Sequence, residues 1–126
     1  MPHFELTLES EFSAAHRLRM HDGTLEPLHG HNWRVEVFLV GSELDSAGLV
    51  ADFVMLQKDL SQIVGRLHDT CLNDLPAFRE CNPSTELVAK HIHDEFAPTL
   101  PQGVRVAKVR VWETRVCAAA YVSGES

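Results

Sequence analysis

His29-Gly30-His31-Asn32-Trp33-Arg34-Val35-Glu36-Val37-Phe38-Leu39 alternates by side-chain character along most of its length. Trp33, Val35, Val37 and Leu39 share one parity, and Asn32, Arg34 and Glu36 share the other. Successive side chains of a strand point to opposite faces, so this is a half-buried strand with one apolar face. His29 and His31 continue the apolar parity. Residues 4–16, FELTLESEFSAAH, read the same way. Phe4, Leu6, Leu8, Phe12 and Ala14 alternate with Glu5, Thr7, Glu9 and Glu11, and His16 closes the apolar set. The connection over residues 18–27 carries His21-Asp22-Gly23 and Pro27, which is turn chemistry. The two stretches are expected to pair antiparallel across a long loop.

Downstream the period changes. Phe53, Leu56, Leu60, Ile63, Val64 and Leu67 recur at helical spacing behind Asp52, a good N-cap. Asn82-Pro83 reads as the cap and first position of a second helix, with Val88, Ile92 and Phe96 as its apolar stripe and Pro98 and Pro101 beyond its end. Residues 104–112 and 116–122 are β-rich, and the parity slips between Val106 and Val109, which predicts a bulge. The order is strand, strand, helix, helix, strand, strand (β-β-α-α-β-β): an α+β domain with a four-stranded antiparallel sheet and both helices on one face. Its open edge strands predict assembly.

The chain has 126 residues, which fits one domain spanning 1–126. It carries 11 basic and 18 acidic residues, a formal charge of −7, so neither a nucleic acid nor a membrane surface is expected as a partner. A phosphate ester as ligand would require basic groups gathered locally. The opening MPHFELTLES lacks a signal-peptide pattern, and no run approaches the ~20 apolar residues of a membrane span. Cys71, Cys81 and Cys117 are odd in number and form no C-x-x-C, so a disulfide framework is not expected and the cytoplasm is the natural setting.

His29 and His31, two apart on a strand, point the same way, and His16 lies on the inward face of the partner strand. Three imidazoles converging at one mouth of a sheet suit Zn2+, whose catalytic sites use three protein ligands and keep one position open. Gly30 between them is read as allowing close approach. His3, His21, His91 and His93 show no such pattern, and the last two do not share a helix face.

Phe12-Ser13-Ala14-Ala15-His16 followed by Leu28-His29-Gly30-His31-Asn32-Trp33 resembles the zinc signature of the 6-pyruvoyl-tetrahydropterin synthase family, whose relatives include the 6-carboxytetrahydropterin synthases of the queuosine pathway. Ala51-Asp52-Phe53, Leu72-Asn73, Asn82-Pro83-Ser84-Thr85-Glu86, Val111-Trp112-Glu113-Thr114 and Ala120-Tyr121 follow in the family's order. The resemblance implies the tunnelling fold, with trimers closing barrels and stacking as a homohexamer. It implies zinc on His16, His29 and His31, and 7,8-dihydroneopterin triphosphate as substrate. It implies that Glu113 anchors the pterin ring, where a carboxylate accepts paired N–H bonds, with Ser84 and Thr85 beside it.

Two departures matter. Residues 22–28, DGTLEPL, contain no cysteine where most of the family places its base; Glu26 stands three before His29 instead. That resembles the subset in which glutamate replaces cysteine, associated with cleaving the side chain to 6-hydroxymethyl-7,8-dihydropterin, a folate precursor. The family's Asp-His pair reads His68-Asp69 here, in reversed order. On this reading Glu26 is the base at the side chain, and His68 shuttles a second proton with Asp69 orienting it. Arg17, Arg19 and Arg34 are candidates for meeting the triphosphate, with Lys90 and Arg115 from neighbouring chains. The alternatives are a 6-pyruvoyl- or 6-carboxy-tetrahydropterin synthase using another base, and a pterin-binding zinc protein without turnover.

Overall fold

A computed structural model describes residues 2–124. The two alternating stretches form β1, Phe4–His16, and β2, His29–Gly41, paired antiparallel from Phe4 against Gly41 to His16 against His29. The apolar parities coincide across the pair, so one face carries Leu8, Phe12, Ala14, Trp33, Val35, Val37 and Leu39, all buried. Phe12 and Trp33 are register partners and stack with their ring planes 2° apart.

Helix α1, Phe53–Gly65, begins where Asp52 accepts the amide hydrogen of Val54 at 2.8 Å. Its inward stripe is Leu56, Leu60, Ile63 and Val64. Phe53, counted in that stripe from its spacing, is instead 51% exposed. A two-residue strand β3, Thr70–Cys71, then lies parallel to β1. It follows Asp69, whose φ of 59° turns the chain back, and whose N–H donates to Ser13 O at 2.7 Å. The described sheet therefore has five strands rather than four. A two-residue strand is too short to carry an alternating pattern.

Helix α2 runs Thr85–Phe96 and is capped by Ser84, whose Oγ accepts from the Leu87 amide at 3.2 Å. The start predicted at Asn82-Pro83 is two residues early. The Asn82 amide is spent on another segment, and Ser84 is the next side chain able to cap. β4, Val104–Trp112, pairs with β2, and β5, Ala118–Val122, pairs with β4, giving the order β3-β1-β2-β4-β5. Both helices cover the apolar face, with Val88, Ala89, Ile92 and Phe96 of α2 completing the core.

The expected bulge is present. Phe38 pairs with Lys108 and Leu39 with Val106, leaving Ala107 unpaired. Ser123 satisfies the kinked backbone, donating through Oγ to Val106 O at 2.7 Å and through its amide to Ala107 O at 3.1 Å. Val106 is inward before the bulge, and Val109 and Val111 after it. The opposite face is polar: Glu36 accepts from Trp112 Nε1 at 2.8 Å and lies 3.5 Å from Arg110 and 3.6 Å from Arg34. The Trp112 hydrogen bond is the largest cause holding the Glu36 carboxyl below its ordinary pKa. Among the described residues no helix is long and apolar enough to cross a membrane.

Candidate functional site

The β1–β2 register places His16 directly opposite His29, with His31 one inward position further along β2. The ligand-capable atoms of all three lie within 4.8 Å of one another. Trp33, fully buried and tied by Nε1 to Ala14 O at 3.1 Å, sits edge-on to His16 and His31 at 4.9 and 5.5 Å between centroids. A rigid aromatic floor thus fixes two of the rings.

Backbone carbonyls fix the nitrogens. His16 Nδ1 lies 2.8 Å from Pro83 O, and His29 Nδ1 lies 2.8 Å from Pro27 O. Each Nδ1 must donate, so in the neutral ring each Nε2 is a bare lone pair. His16 is 1% exposed, and Nε2 of both His16 and His31 is buried without a hydrogen-bond partner. The Glu113 carboxylate faces His16 Nε2 at 3.3 Å and His31 Nε2 at 4.0 Å. The bare lone pair of His16 facing a carboxylate is repulsive unless a cation stands between them. The three histidines therefore form a group able to hold a metal ion, with His16 and His29 oriented from behind by protein carbonyls.

Glu113 reaches this mouth because it continues the inward parity that the bulge restores. Thr85 Oγ1 donates to its Oε2 at 3.2 Å. The Ser84 hydroxyl is occupied as the cap of α2. Glu26 is on the loop between β1 and β2, with Oε1 accepting from the Leu18 amide at 2.9 Å. Its charge is felt at His31. His68 and Asp69 lie past the end of α1, off the helix. His68 Nδ1 accepts from the Ser13 amide at 3.1 Å, which leaves Nε2 carrying the proton 3.4 Å from Asp69 Oδ2. Asp69 and His31 line one hollow of about 400 Å³.

Two expectations fail here. Arg34 is on the opposite face of the sheet, 3.7 Å from Glu9 and 5.0 Å from the Trp112 ring, because its parity is that of Asn32 and Glu36. Gly30 also points to that face, and a Cβ there would meet only Ala14 O at 3.8 Å, an ordinary contact. Lys90 is paired with Asp94 at 2.6 Å. Sequence reasoning missed Pro83 and Pro27, whose role lies in main-chain carbonyls. It also assigned no chemistry to Asn73 and read Asn82 only as a helix cap, although both fall inside the quoted motifs.

Burial pushes the pKa of His31 below its ordinary 6.5; Glu113 and Glu26 oppose that, while His16 and His29 add to it. In metal-free protein the unfolded chain therefore binds more protons at this position than the folded chain does, between the two values. Stability is retained above 6.5, falls as pH drops below it, and levels off under the lowered value. Thermal melts of chelator-treated protein from about pH 8 to about pH 5 should show this decline, and a melting temperature that rises on acidification would contradict it.

The 6-pyruvoyl tetrahydropterin synthase family model matches residues 5–124. The 6-carboxy-5,6,7,8-tetrahydropterin synthase of Bacillus subtilis is 34% identical over 119 residues, covering 88% of this chain and 80% of its own. The dihydroneopterin monophosphate aldolase of Pyrococcus furiosus is 32% identical over 104 residues, covering 82% and 84%. The structure of Caenorhabditis elegans 6-pyruvoyl tetrahydropterin synthase superposes with a TM-score of 0.83 at 25% identity, over 98% of each chain. With the fold, the histidine triad and the matched span in agreement, this chain belongs to the 6-pyruvoyl tetrahydropterin synthase family.

Proposed function

We propose that residues 1–126 form one catalytic domain of a zinc-dependent lyase that cleaves the side chain of 7,8-dihydroneopterin triphosphate to 6-hydroxymethyl-7,8-dihydropterin. The observation that carries this reading is Glu26: a carboxylate stands before the H-G-H where a cysteine is usual, and it is held in place by the backbone of Leu18. The aldolase name of the P. furiosus relative supports carbon–carbon scission. His16, His29 and His31 hold the zinc. When bound, the ion supplies a Lewis acid that lowers the pKa of the side-chain hydroxyls.

Glu113 receives the paired N–H groups of the pterin ring, with Thr85 orienting the carboxylate. Glu26 takes the proton of the C2′ hydroxyl. The C1′–C2′ bond breaks, C2′ leaves as an aldehyde still bearing the phosphates, and its electrons pass to C1′ conjugated with the ring. A proton delivered to C1′ completes the hydroxymethyl group. His68, carrying its proton on Nε2 beside Asp69, is assigned to that delivery. The same reading includes assembly as two stacked trimers, since the sheet ends on two short strands, β3 and β5, and Phe53, Val54 and Met55 are exposed together. It also places the enzyme in the cytoplasm.

The name of the B. subtilis relative favours a second reading, triphosphate elimination towards a 6-carboxypterin. One assay separates the two. Zinc-loaded protein is incubated with 7,8-dihydroneopterin triphosphate, and the pterin products are identified by chromatography with mass spectrometry. The expected product is 6-hydroxymethyl-7,8-dihydropterin. A pyruvoyl or carboxy product replaces the first reading with the second, and absence of turnover with zinc bound leaves a pterin-binding protein.

A further inference from the structure

The loop that carries Glu26 is held only weakly by packing. Arg17, Arg19, Met20 and Leu25 are all exposed. Two half-buried asparagines bond to its main chain instead. β3 pairs Thr70 with Ala14 and Cys71 with Ala15, and the chain then leaves the sheet in a 3-10 turn, Leu72–Asp74. The Asn73 side chain continues that ladder two residues on. It accepts from the Arg17 amide at 3.0 Å and donates to Arg17 O at 2.8 Å. Asn82 treats Arg19 the same way, at 2.7 and 3.0 Å. Residues 17–19 thus stay extended beyond the end of β1, their outer edge closed by side-chain amides.

The inner edge belongs to Leu18, and both of its polar groups go to Glu26. The Leu18 amide donates to Glu26 Oε1 at 2.9 Å, and Leu18 O accepts from the Glu26 amide at 3.0 Å. In a regular antiparallel ladder the first of these bonds would end on Glu26 O. The carboxylate takes the place of its own main-chain carbonyl, so Leu18 sets its position. A trans peptide unit is a rigid plate whose C=O and N–H aim opposite ways. Arg17 O and the Leu18 amide share one plate: Asn73 holds one end, and the Glu26 carboxylate is bonded to the other. Leu18 O and the Arg19 amide share the next: Asn82 holds one end, and the Glu26 amide is bonded to the other. Each asparagine thus reaches Glu26 through a single plate. A donor bonded at Arg17 O also polarises the Leu18 N–H towards the carboxylate.

We infer that Asn73 and Asn82 are positioning residues for Glu26, acting through the two peptide units that meet at Leu18. That Glu26 is the base rests on the functional reading above; that the asparagines fix its carboxylate does not. A base must stand within hydrogen-bond reach of the proton it takes, and a misplacement of about 1 Å can cost about 100-fold in rate. One carboxylate oxygen is spent on Leu18, so the plates decide where the other one points. Asn82 also precedes Pro83, whose carbonyl lies 2.8 Å from His16 Nδ1. One dipeptide therefore anchors the base's segment by a side chain and a candidate metal ligand by main chain. Mutation can separate the two contacts, because a changed Asn82 side chain leaves Pro83 O in place.

The first variant is Asn73→Asp. It keeps the shape and the acceptor for the Arg17 amide, and replaces the donor to Arg17 O with an oxygen that repels it. In zinc-loaded protein, residue-resolved hydrogen exchange of the Leu18 amide should speed up about tenfold, the size of one hydrogen bond. Zinc content, and exchange at Val35 and Val37 in β2, should not change. Asn82→Ala is the second variant, with the Glu26 amide as its reporter. Unaltered exchange in both variants, or loosening that spreads to β2 or releases zinc, would overturn the inference. Single-turnover rates at saturating 7,8-dihydroneopterin triphosphate then separate positioning from general support of the loop. Asn73→Asp should slow the native chain roughly 10- to 100-fold, and the Glu26→Gln chain less than about twofold. Equal slowing in both backgrounds overturns the inference. If the native chain does not turn the substrate over, the proposed reaction falls, and the exchange result alone decides whether the asparagines place Glu26.

Discussion

Replacing His16 with alanine should remove the metal and roughly 2–4 kcal/mol of stability together. His16 is 1% exposed and packs between the Trp33 and His31 rings at 4.9 and 5.3 Å. Its loss empties a volume that β1, paired along its whole length with β2, cannot close. It also strips Pro83 O of its donor in a buried place. The metal term is separate. Disturbing groups that merely orient metal ligands costs about 10–100-fold in affinity, so deleting a ligand should exceed that range. Atomic spectroscopy of the purified variant checks the first part and thermal denaturation the second. One equivalent of metal retained per chain would refute the assignment of the triad. His3→Ala, remote from the triad, should keep both metal and stability.

Changing Glu26 to glutamine should lower turnover by about 10²–10⁴-fold with metal content unchanged. The substitution is chosen for what it preserves. Glutamine Oε1 still accepts from the Leu18 amide, so the loop keeps its clamp. What is lost is the ability to take a proton at the other carboxyl oxygen, which accepts no hydrogen bond among the described residues. Single-turnover kinetics with a fixed amount of pterin triphosphate separates this from weaker binding. A Glu26→Gln variant turning over at the unaltered rate would transfer the role of base to another group. Glu26→Ala should be worse on both counts, because it also releases the Leu18 amide.

Much of this fold is written in side-chain alternation. The two parities of β1 and β2, their coincidence on one face and the slip at Ala107 follow from the order of apolar residues. So does the convergence of His16, His29 and His31. The placement of Glu113 also follows, once the slip is counted. Side-chain amides bonding to main chain leave no such periodic trace. Asn82 before a proline resembles a helix cap, and only the three-dimensional path of the loop shows that Arg19 claims its amide. Arg34 is a different case: its parity in the sequence already put it on the far face, and nearness along the chain was the misleading cue. β3 has no legible signal, because its pairing depends on the left-handed turn at Asp69.

The bulge at Ala107 bears on how this strand tolerates changes in length. Before it, inward residues have even numbers; after it, odd ones. Taking out Ala107 would leave a regular pleat in which Val106, Val109, Val111 and Glu113 all keep their facing. Taking out any one residue from Val109 to Trp112 would instead carry Glu113 to the charged side of the sheet, away from the histidines. Two adjacent positions in β4, Ala107 and Lys108, thus absorb a single deletion, while the four that follow are locked in number by the carboxylate at their end.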